Sequence, residues 1–201
     1  MWTIVLVAFG AANLVENGGF ESGNTCPAGW EACTTDAVRI DAGAGTNDSR
    51  ALCIGMEEKT AYGYGQGYFS KPIPVEPGVE YEVSAAVKSE GPNAILFVKG
   101  FATIDGVERE VYTKHKEAHF DRYLEMGPYT TLTFRFHPRH PKYRIEHVKV
   151  WLYAYLRPGR VWFDDVSVVP AGPATNEPEP SSEPKTKPLV TDDPHPPLYV
   201  R

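Results

Sequence analysis

The stretch RIEHVKVWLYAYL, residues 144–156, alternates aliphatic side chains with aromatic or basic ones. A period of two is typical of a β-strand, because successive side chains point to opposite faces of a sheet. Since Val, Leu and Ala are natural core residues, we expect the aliphatic face to point inward and the aromatic face outward. The inward positions are Glu146, Val148, Val150, Leu152, Ala154 and Leu156, and the outward ones are His147, Lys149, Trp151, Tyr153 and Tyr155.

The same alternation recurs along the chain. In TLTFRFH, residues 131–137, one face holds Leu132, Phe134 and Phe136. No segment has the period of an amphipathic helix, and Gly, Pro, Asn and Asp separate the apolar runs. This pattern predicts an all-β domain, a β-sandwich or jelly roll. Strands are predicted at 37–41, 50–56, 66–72, 80–88, 94–104, 108–114, 129–137, 145–156 and 161–169.

Composition limits the function and divides the chain. The net charge is −6, which argues against a nucleic-acid partner, and no apolar run reaches the ~20 residues of a membrane-spanning helix. Residues 1–12 are predicted to be a signal peptide, with a first buried strand as the alternative. The Pro-rich segment 171–201 is predicted to be a disordered tail or linker. Residues 13–170 are therefore the expected folded domain of a secreted protein.

The outward row of Trp151, Tyr153 and Tyr155 is the strongest functional signal in the pattern. Exposed aromatic stripes tend to mark binding surfaces, and aromatic faces stack on the apolar faces of sugar rings. We expect Arg135, Lys149 and Glu82 to lie nearby and to bind sugar hydroxyls. The alternative is a row covered by a loop or a second layer.

A second aromatic cluster is TAYGYGQGYFS, residues 60–70, in which tyrosines alternate with glycines. Tyr and Gly together are common in adaptable binding loops. We therefore include Tyr64, Gln66 and Tyr68 among the candidate carbohydrate-binding residues. The alternative is a loop whose tyrosines only cover the rim of the sandwich.

Carboxylates occur near both ends of the predicted domain. Glu21 follows an Asn-Gly-Gly turn, and Asp164 and Asp165 are adjacent in the last predicted strand. A jelly roll often places its first and last strands side by side, which would bring these groups into an oxygen cage suited to Ca²⁺. The alternative is that one Asp is solvated while the other caps backbone amides.

Three cysteines are present, at positions 26, 33 and 53. Cys26 and Cys33 bracket a Pro-Ala-Gly-Trp turn and are the disulfide candidate, since export would permit a bridge. The alternative is three buried thiols.

A basic patch is formed by Arg139, His140, Lys142 and Arg144 in HPRHPKYR, residues 137–144. Such a patch could meet acidic sugars, and the alternative is a solvated loop.

Four segments together resemble a known family. They are NLVENGGFE, GYFSKPIPVEPGVEYEVSAAVKSEG, YTTLTFRF and VWFDDVSVV, in this order. They resemble the carbohydrate-binding modules of the CenC-like type (families 4, 9, 16 and 22). The resemblance implies a galactose-binding-like jelly roll with a structural calcium at Glu21 and Asp164 or Asp165. Many such modules carry a sugar-stacking Trp where this chain has Ala86-Val87, so we expect the row at Trp151 to replace it on the same concave sheet.

We therefore expect a non-catalytic, monomeric carbohydrate-binding protein that binds a poly- or oligosaccharide. A role as an accessory module of a glycoside hydrolase fits this expectation. One alternative is an extracellular structural or adhesion module with a protein partner. Another is a glycoside hydrolase, which needs two facing carboxylates. Glu110, Glu125 and Glu146 are available for that role, but none is predicted to lie between the outward aromatics.

Overall fold

The computed structural model describes residues 12–33, 35–118 and 128–174. Residues 1–11 of the expected signal peptide lie outside the described residues, as do Glu125 and segment 175–201 of the expected tail. The described chain contains one short helix, α1 (Glu58–Ala61), a 3-10 turn (Thr46–Asp48) and ten strands. The strands are β1 (Val38–Asp41), β2 (Ala51–Met56), β3 (Gln66–Phe69), β4 (Ile73–Pro74), β5 (Val79–Glu90), β6 (Asn93–Ile104), β7 (Val107–Ala118), β8 (Thr130–Phe136), β9 (His147–Tyr155) and β10 (Gly159–Pro173).

The strands form two antiparallel sheets. One has the order β1-β2-β10-β5-β8 and is called the β10 sheet below. The other has the order β3-β9-β6-β7, with β4 also paired to β9, and is called the β9 sheet. The prediction of an all-β sandwich is confirmed, and β10 continues to Pro173, three residues beyond the expected domain boundary.

The core lies between the inner faces of the two sheets. On β9 the expected inward residues Val148, Val150, Leu152 and Ala154 have no exposed surface. Full burial of each Val or Leu side chain contributes about 1.5–3 kcal/mol. The alternation of apolar residues therefore predicted these core positions correctly.

The expected inward face of β9 fails at both of its ends. Leu156 lies just beyond the strand, has a positive φ of 76° and is 50% exposed. Glu146 lies just before the strand, is exposed, and accepts hydrogen bonds from Thr103. Both predictions of inward side chains were wrong, because the strand is shorter than the sequence pattern.

The N-terminal segment lies against the last strand. The Leu14 N–H donates to the Val168 carbonyl at 2.8 Å, and the Val166 N–H donates to the Gly18 carbonyl at 2.9 Å. A Cβ on Gly18 would lie 1.9 Å from the Val166 oxygen, so this close approach requires glycine. The NGG turn thus fixes the chain start beside β10, as expected for a jelly roll.

The disulfide candidate is paired in the structure. Cys26 and Cys33 are bonded, with their Cα atoms 5.8 Å apart. Cys53 is a free, buried cysteine on β2. Burial raises the pKa of its thiol to about 12, with the negative charge of Asp41 adding to the effect. The thiol of Cys53 is therefore neutral and unreactive near neutral pH.

Within the described residues, no helix has the length and apolar character needed to cross a membrane.

Candidate functional site

The outer face of the β9 sheet carries a continuous aromatic surface, called the aromatic face below. It draws side chains from three neighbouring strands, β3, β9 and β6, because their outward positions lie in register. All of these rings are half-buried. The members of the aromatic face are Phe69, Phe97, Phe101, Trp151, Tyr153 and Tyr155.

One row of rings crosses the sheet. Phe69 is paired with Trp151, which is paired with Phe97 on the next strand. The ring centroids of Phe69 and Trp151 are 5.1 Å apart at an interplanar angle of 4°, and those of Phe97 and Trp151 are 5.0 Å apart. Since neighbouring strands are about 4.8 Å apart, the row spans about 10 Å. Contacts between rings hold each member in place.

A second row runs along β9. The centroid of Tyr153 lies 4.6 Å from that of Trp151 and 6.2 Å from that of Tyr155. From Trp151 to Tyr155 the strand extends by about 14 Å. Burial raises the pKa of both tyrosines, with the charge of Glu117 adding to the effect at Tyr155. Both phenol groups therefore stay neutral and able to donate hydrogen bonds.

Glycine makes room for this row. Gly67 on β3 is paired with Tyr153. A Cβ on Gly67 would lie 2.1 Å from the Trp151 Nε1 and 2.9 Å from the Tyr153 Cδ2. Any larger residue at this position would displace the indole ring, so the flat packing of the rings depends on glycine.

Ion pairs lie among the rings. The Lys99 Nζ is 4.3 Å from the centroid of the Trp151 ring and 2.9 Å from a Glu110 oxygen. The Lys149 Nζ is 5.2 Å from the centroid of the Phe101 ring and 3.0 Å from a Glu31 oxygen, so Lys149 does lie beside the aromatic face as expected. These groups supply fixed donors and acceptors beside apolar rings, an arrangement that suits hydroxyl-bearing ligands.

Two predicted partners of the aromatic row lie elsewhere. Arg135 is on β8 and Glu82 is on β5, both strands of the β10 sheet. They pair with each other at 3.3 Å, and Arg135 also lies 3.6 Å from Glu80. The prediction that they sit beside Trp151 was wrong. Ala86 is likewise on the β10 sheet, so Trp151 does not replace a ring on that same sheet.

The three candidates from the TAYGYGQGYFS stretch have different positions. Tyr68 is 5% exposed and stacks on Trp30 in the core at 5.8 Å, so its assignment to a ligand surface was wrong. Gln66 lies two residues before Tyr68 on β3, so it is on the same inner face, at the rim of the sheet. Tyr64 is 79% exposed, and its carbonyl accepts a hydrogen bond from the Tyr153 hydroxyl. Only Tyr64 adjoins the aromatic face.

Sequence reasoning missed the members that β6 contributes. Phe97, Lys99 and Phe101 alternate there with the buried Leu96 and Val98. The period of two was present in NAILFVKGFATI, residues 93–104, but apolar residues occupy both faces. Periodicity therefore predicts the strand without saying which face is outward.

The carboxylates of the metal prediction lie on the β10 sheet. Asp164 is 1% exposed, and its Oδ2 accepts hydrogen bonds from the Thr46 N–H at 2.8 Å and the Ser49 hydroxyl at 3.0 Å. Its Oδ1 accepts one from the Asp165 N–H at 2.8 Å. Asp165 itself is exposed. This agrees with the alternative in which one Asp is solvated and the other caps backbone amides.

One hydroxyl in this cluster is shared between two carboxylates. The Thr46 Oγ1 lies 2.9 Å from the Asp164 Oδ2 and 2.8 Å from the Asp165 Oδ2. A hydroxyl has one hydrogen, so it can donate to only one of them. In the other contact, two oxygen atoms lie close together with no proton between them, and they repel each other. A cation bound among these oxygens would relieve that repulsion.

Glu21 lies close to the same cluster. A Cβ on Gly19 would be 3.9 Å from the Asp164 Oδ1 and 4.0 Å from the Glu21 Cγ, so the Asp164 carboxylate and the Glu21 side chain both lie near this glycine. The Glu21 Oε1 accepts a hydrogen bond from the Arg50 N–H at 2.8 Å. The joint role of Glu21 and Asp164 as metal ligands stays a prediction.

The backbone around this cluster adopts left-handed conformations. Four non-glycine residues here have positive φ; Asn and Asp tolerate this conformation, whereas for Phe20 it costs of the order of 1–3 kcal/mol. They are Phe20 at 57°, Asn47 at 53°, Asp48 at 61° and Asp165 at 49°. Over the described ranges, no three His, Cys, Asp or Glu side chains converge as a metal site. A cation here would therefore need hydroxyl and carbonyl oxygens as further ligands.

Comparison with known proteins identifies related domains. The family model for "Carbohydrate binding domain" matches residues 12–155. Among solved structures, the chain is similar to Family 16 Carbohydrate Binding Module-2, with 15% identity and a TM-score of 0.52, over 78% of this chain and 99% of that one. It is also similar to the CBM22-1 xylan-binding domain from Paenibacillus barcinonensis Xyn10C, with 15% identity and a TM-score of 0.53, over 82% and 97%.

A cyclase from Fischerella sp. TAU is similar as well, with 15% identity and a TM-score of 0.58, over 83% of this chain and 100% of that one. At such identities, the structural likeness establishes a shared fold. No curated protein sequence matches the chain.

Proposed function

The chain belongs to the carbohydrate-binding domain family, and on that premise we propose that it binds a poly- or oligosaccharide along the aromatic face without catalysing a reaction. The observation that carries the proposal is the packed row of Phe69, Trp151 and Phe97. Apolar faces of pyranose rings stack on such rings, and the burial of that surface drives association.

The length of the aromatic face supports a chain rather than a single sugar as the ligand. Rings follow β9 over about 14 Å from Trp151 to Tyr155. Several sugar residues of an oligosaccharide lie within such a distance. The Tyr153 and Tyr155 hydroxyls already donate their hydrogens to the Tyr64 carbonyl and to Glu117, so they would accept hydrogen bonds from sugar hydroxyls along the chain.

Lys99 adds selectivity to this face. Its ammonium group lies over the Trp151 ring, which a stacked sugar would also approach. This cation–π contact is worth about 0.5–1 kcal/mol at an exposed site. A sugar that replaces it must therefore offer hydroxyl groups to the ammonium group. The polar rim therefore favours polyhydroxylated ligands over purely apolar ones.

A structural calcium is the second part of the proposal. Glu21 and either Asp164 or Asp165 would hold it, with Thr46 supplying a hydroxyl oxygen. Ca²⁺ prefers such hard oxygen ligands, and it would neutralise carboxylates that otherwise repel each other. The shared Thr46 hydroxyl and the positive φ values nearby support this assignment.

A hydrolase is less well supported. Glu110 on the aromatic face is paired with Lys99 and accepts a hydrogen bond from Thr113. Glu146 is bound to Thr103, beyond the start of β9. Neither carboxylate flanks the rings in the way that glycosidic bond cleavage requires. The Cys26–Cys33 disulfide supports a secreted protein, because such bonds persist in oxidising compartments.

Calorimetric titration with xylohexaose, cellohexaose and mannohexaose, in calcium, tests the proposal. We expect saturable heat with at least one of them. Trp151→Ala should weaken that binding by about tenfold or more, since a stacked aromatic pair is worth up to about 1.5 kcal/mol beyond its area. Tyr62→Ala is the matched control, because it removes an exposed ring outside the aromatic face.

Two outcomes would count against the aromatic face. If Trp151→Ala binds as well as the wild type, the sugar binds elsewhere. If none of the three sugars binds, the alternative of a structural or adhesion module with a protein partner becomes the better explanation.

A further inference from the structure

We propose that a small cleft at one end of the sandwich binds an anionic sugar residue. Arg139 and Arg144 would hold its carboxylate or sulfate, and its ring would stack on Tyr143. The cleft is separate from the aromatic face, and the assignment of a sugar as its ligand rests on the proposed glycan-binding function.

The cleft lies between two connections. One is the turn from β4 to β5, which contributes Val75–Gly78, and the other is segment 137–145 between β8 and β9. Its volume is about 230 Å³. Pockets that enclose drug-sized ligands measure about 300–1,000 Å³, so this one suits a single sugar residue rather than a chain.

Among the residues that the structure describes, the cations of this loop have no ion-pair partner. Within the described ranges, the Arg and Lys residues in salt bridges include Arg39 at 2.7 Å and Lys149 at 3.0 Å from their carboxylates. Arg139, Lys142 and Arg144 form no salt bridge and no side-chain hydrogen bond with any described residue. In a protein of net charge −6, three cations within six residues make a local site of positive charge. An arginine offers paired N–H donors that match a carboxylate or sulfate.

A flat aromatic surface lies beside these cations. The rings of His140 and Tyr143 stack with centroids 4.9 Å apart and an interplanar angle of 18°. The His140 Nδ1 accepts hydrogen bonds from the backbone N–H groups of Lys142 and Tyr143, both at 3.2 Å. In the neutral ring, Nε2 therefore carries the proton and is a donor. Tyr143 lines the cleft and is 38% exposed, so part of its side chain is accessible to a sugar ring.

One acid also lines the cleft. Glu76 lies on the β4–β5 turn and lines the cleft together with the two arginines. A carboxylate accepts hydrogen bonds from sugar hydroxyls and repels a second negative charge. The combination favours a ligand that has one anionic group and several hydroxyls, as a hexuronate or a monosulfated sugar has.

Calorimetry with hexagalacturonate, a κ-carrageenan hexasaccharide and neutral xylohexaose tests the proposal. The first ligand carries carboxylates and the second sulfates, so the stronger binder identifies the anionic group. The test variant is Arg139→Gln/Arg144→Gln. The matched control is Lys59→Gln/Lys71→Gln, which removes the same charge from exposed positions away from the cleft.

We expect at least one acidic oligosaccharide to bind the wild type, and the double arginine variant to bind it at least tenfold more weakly. The lysine control and Trp151→Ala should change that affinity by less than twofold. Absence of acidic binding, or equal losses in the arginine and lysine variants, would overturn the proposal. If xylohexaose fails to bind while arginine-dependent acidic binding persists, the aromatic-face proposal loses support and the cleft stands.

Discussion

Replacement of Asp164 tests whether its buried carboxylate organises the junction between the chain start and the last strand. Asp164→Ala removes the acceptor of two backbone N–H groups, from Thr46 and Asp165, and of the Ser49 hydroxyl. Hydrogen bonds to charged groups contribute about 1.5–3 kcal/mol each. Even if the hydroxyl finds another acceptor, two lost backbone bonds predict a loss of about 3 kcal/mol or more.

Such a loss is large compared with the 5–15 kcal/mol of stability that is usual for a domain. Urea unfolding of Asp164→Ala should therefore show a clearly lower midpoint at an unchanged slope. Asp36→Ala is the control, because Asp36 is an exposed carboxylate of the same type. A variant within about 1 kcal/mol of the wild type would refute the reasoning from these hydrogen bonds.

Asp164→Asn separates the hydrogen bonds from the metal. The amide keeps an acceptor oxygen but removes the negative charge that attracts a calcium ion. A ligand at 100 times its dissociation constant stabilises the folded state by about 2.7 kcal/mol. Calcium should therefore raise the unfolding midpoint of the wild type, relative to EDTA, and leave that of Asp164→Asn unchanged. Equal stabilisation of both proteins would place any metal elsewhere.

Three further outcomes are expected. Gly67→Ala should lower both the sugar affinity and the free energy of unfolding, because the new Cβ would collide with the Trp151 ring. Calorimetric titration of the folded variant with sugar checks the affinity. Cys53 should resist iodoacetamide at pH 8 until the protein unfolds, since burial raises its pKa to about 12; fast labelling of the native protein would contradict this. Burial raises the pKa of Asp41, but hydrogen bonds, chiefly from Arg39, outweigh burial and hold that pKa below its ordinary value. Asp41 therefore adds stability that is lost as the pH falls below about 4, and Asp41→Asn should weaken this acid dependence in urea unfolding at pH 3 and 6.

The sequence allowed the strands and most of the core to be predicted, because both depend on local alternation. Val148 to Ala154 are inward as expected, and only the ends of β9 differ. Local alternation does not predict which strands belong to which of the two sheets. Arg135 and Trp151 both lie on outward faces of their strands, yet on different sheets, since long-range pairing decides which strands are neighbours.

The same limit explains the error at Tyr68. Alternating glycines gave no apolar pattern from which the inward face of β3 could be deduced. The register with β9 turns Tyr68 toward the core and Phe69 outward, where it meets Trp151. A shift of the strand register by one residue would therefore turn Tyr68 outward and Phe69 into the core.

Asp164 lies at the point on β10 where two different segments pair with the same edge of the strand. β2 pairs with residues 159–163 of β10, and the N-terminal segment bonds to Val166 and Val168 on the same side. At the point where one partner ends and the other begins, backbone groups need acceptors that no strand supplies. Asp164 accepts the Asp165 N–H there, and it also binds Thr46 of the loop between β1 and β2. An acidic residue is thus placed by topology where three segments meet, which is why the Asn-Gly-Gly start and the Phe-Asp-Asp end of the domain belong to one site.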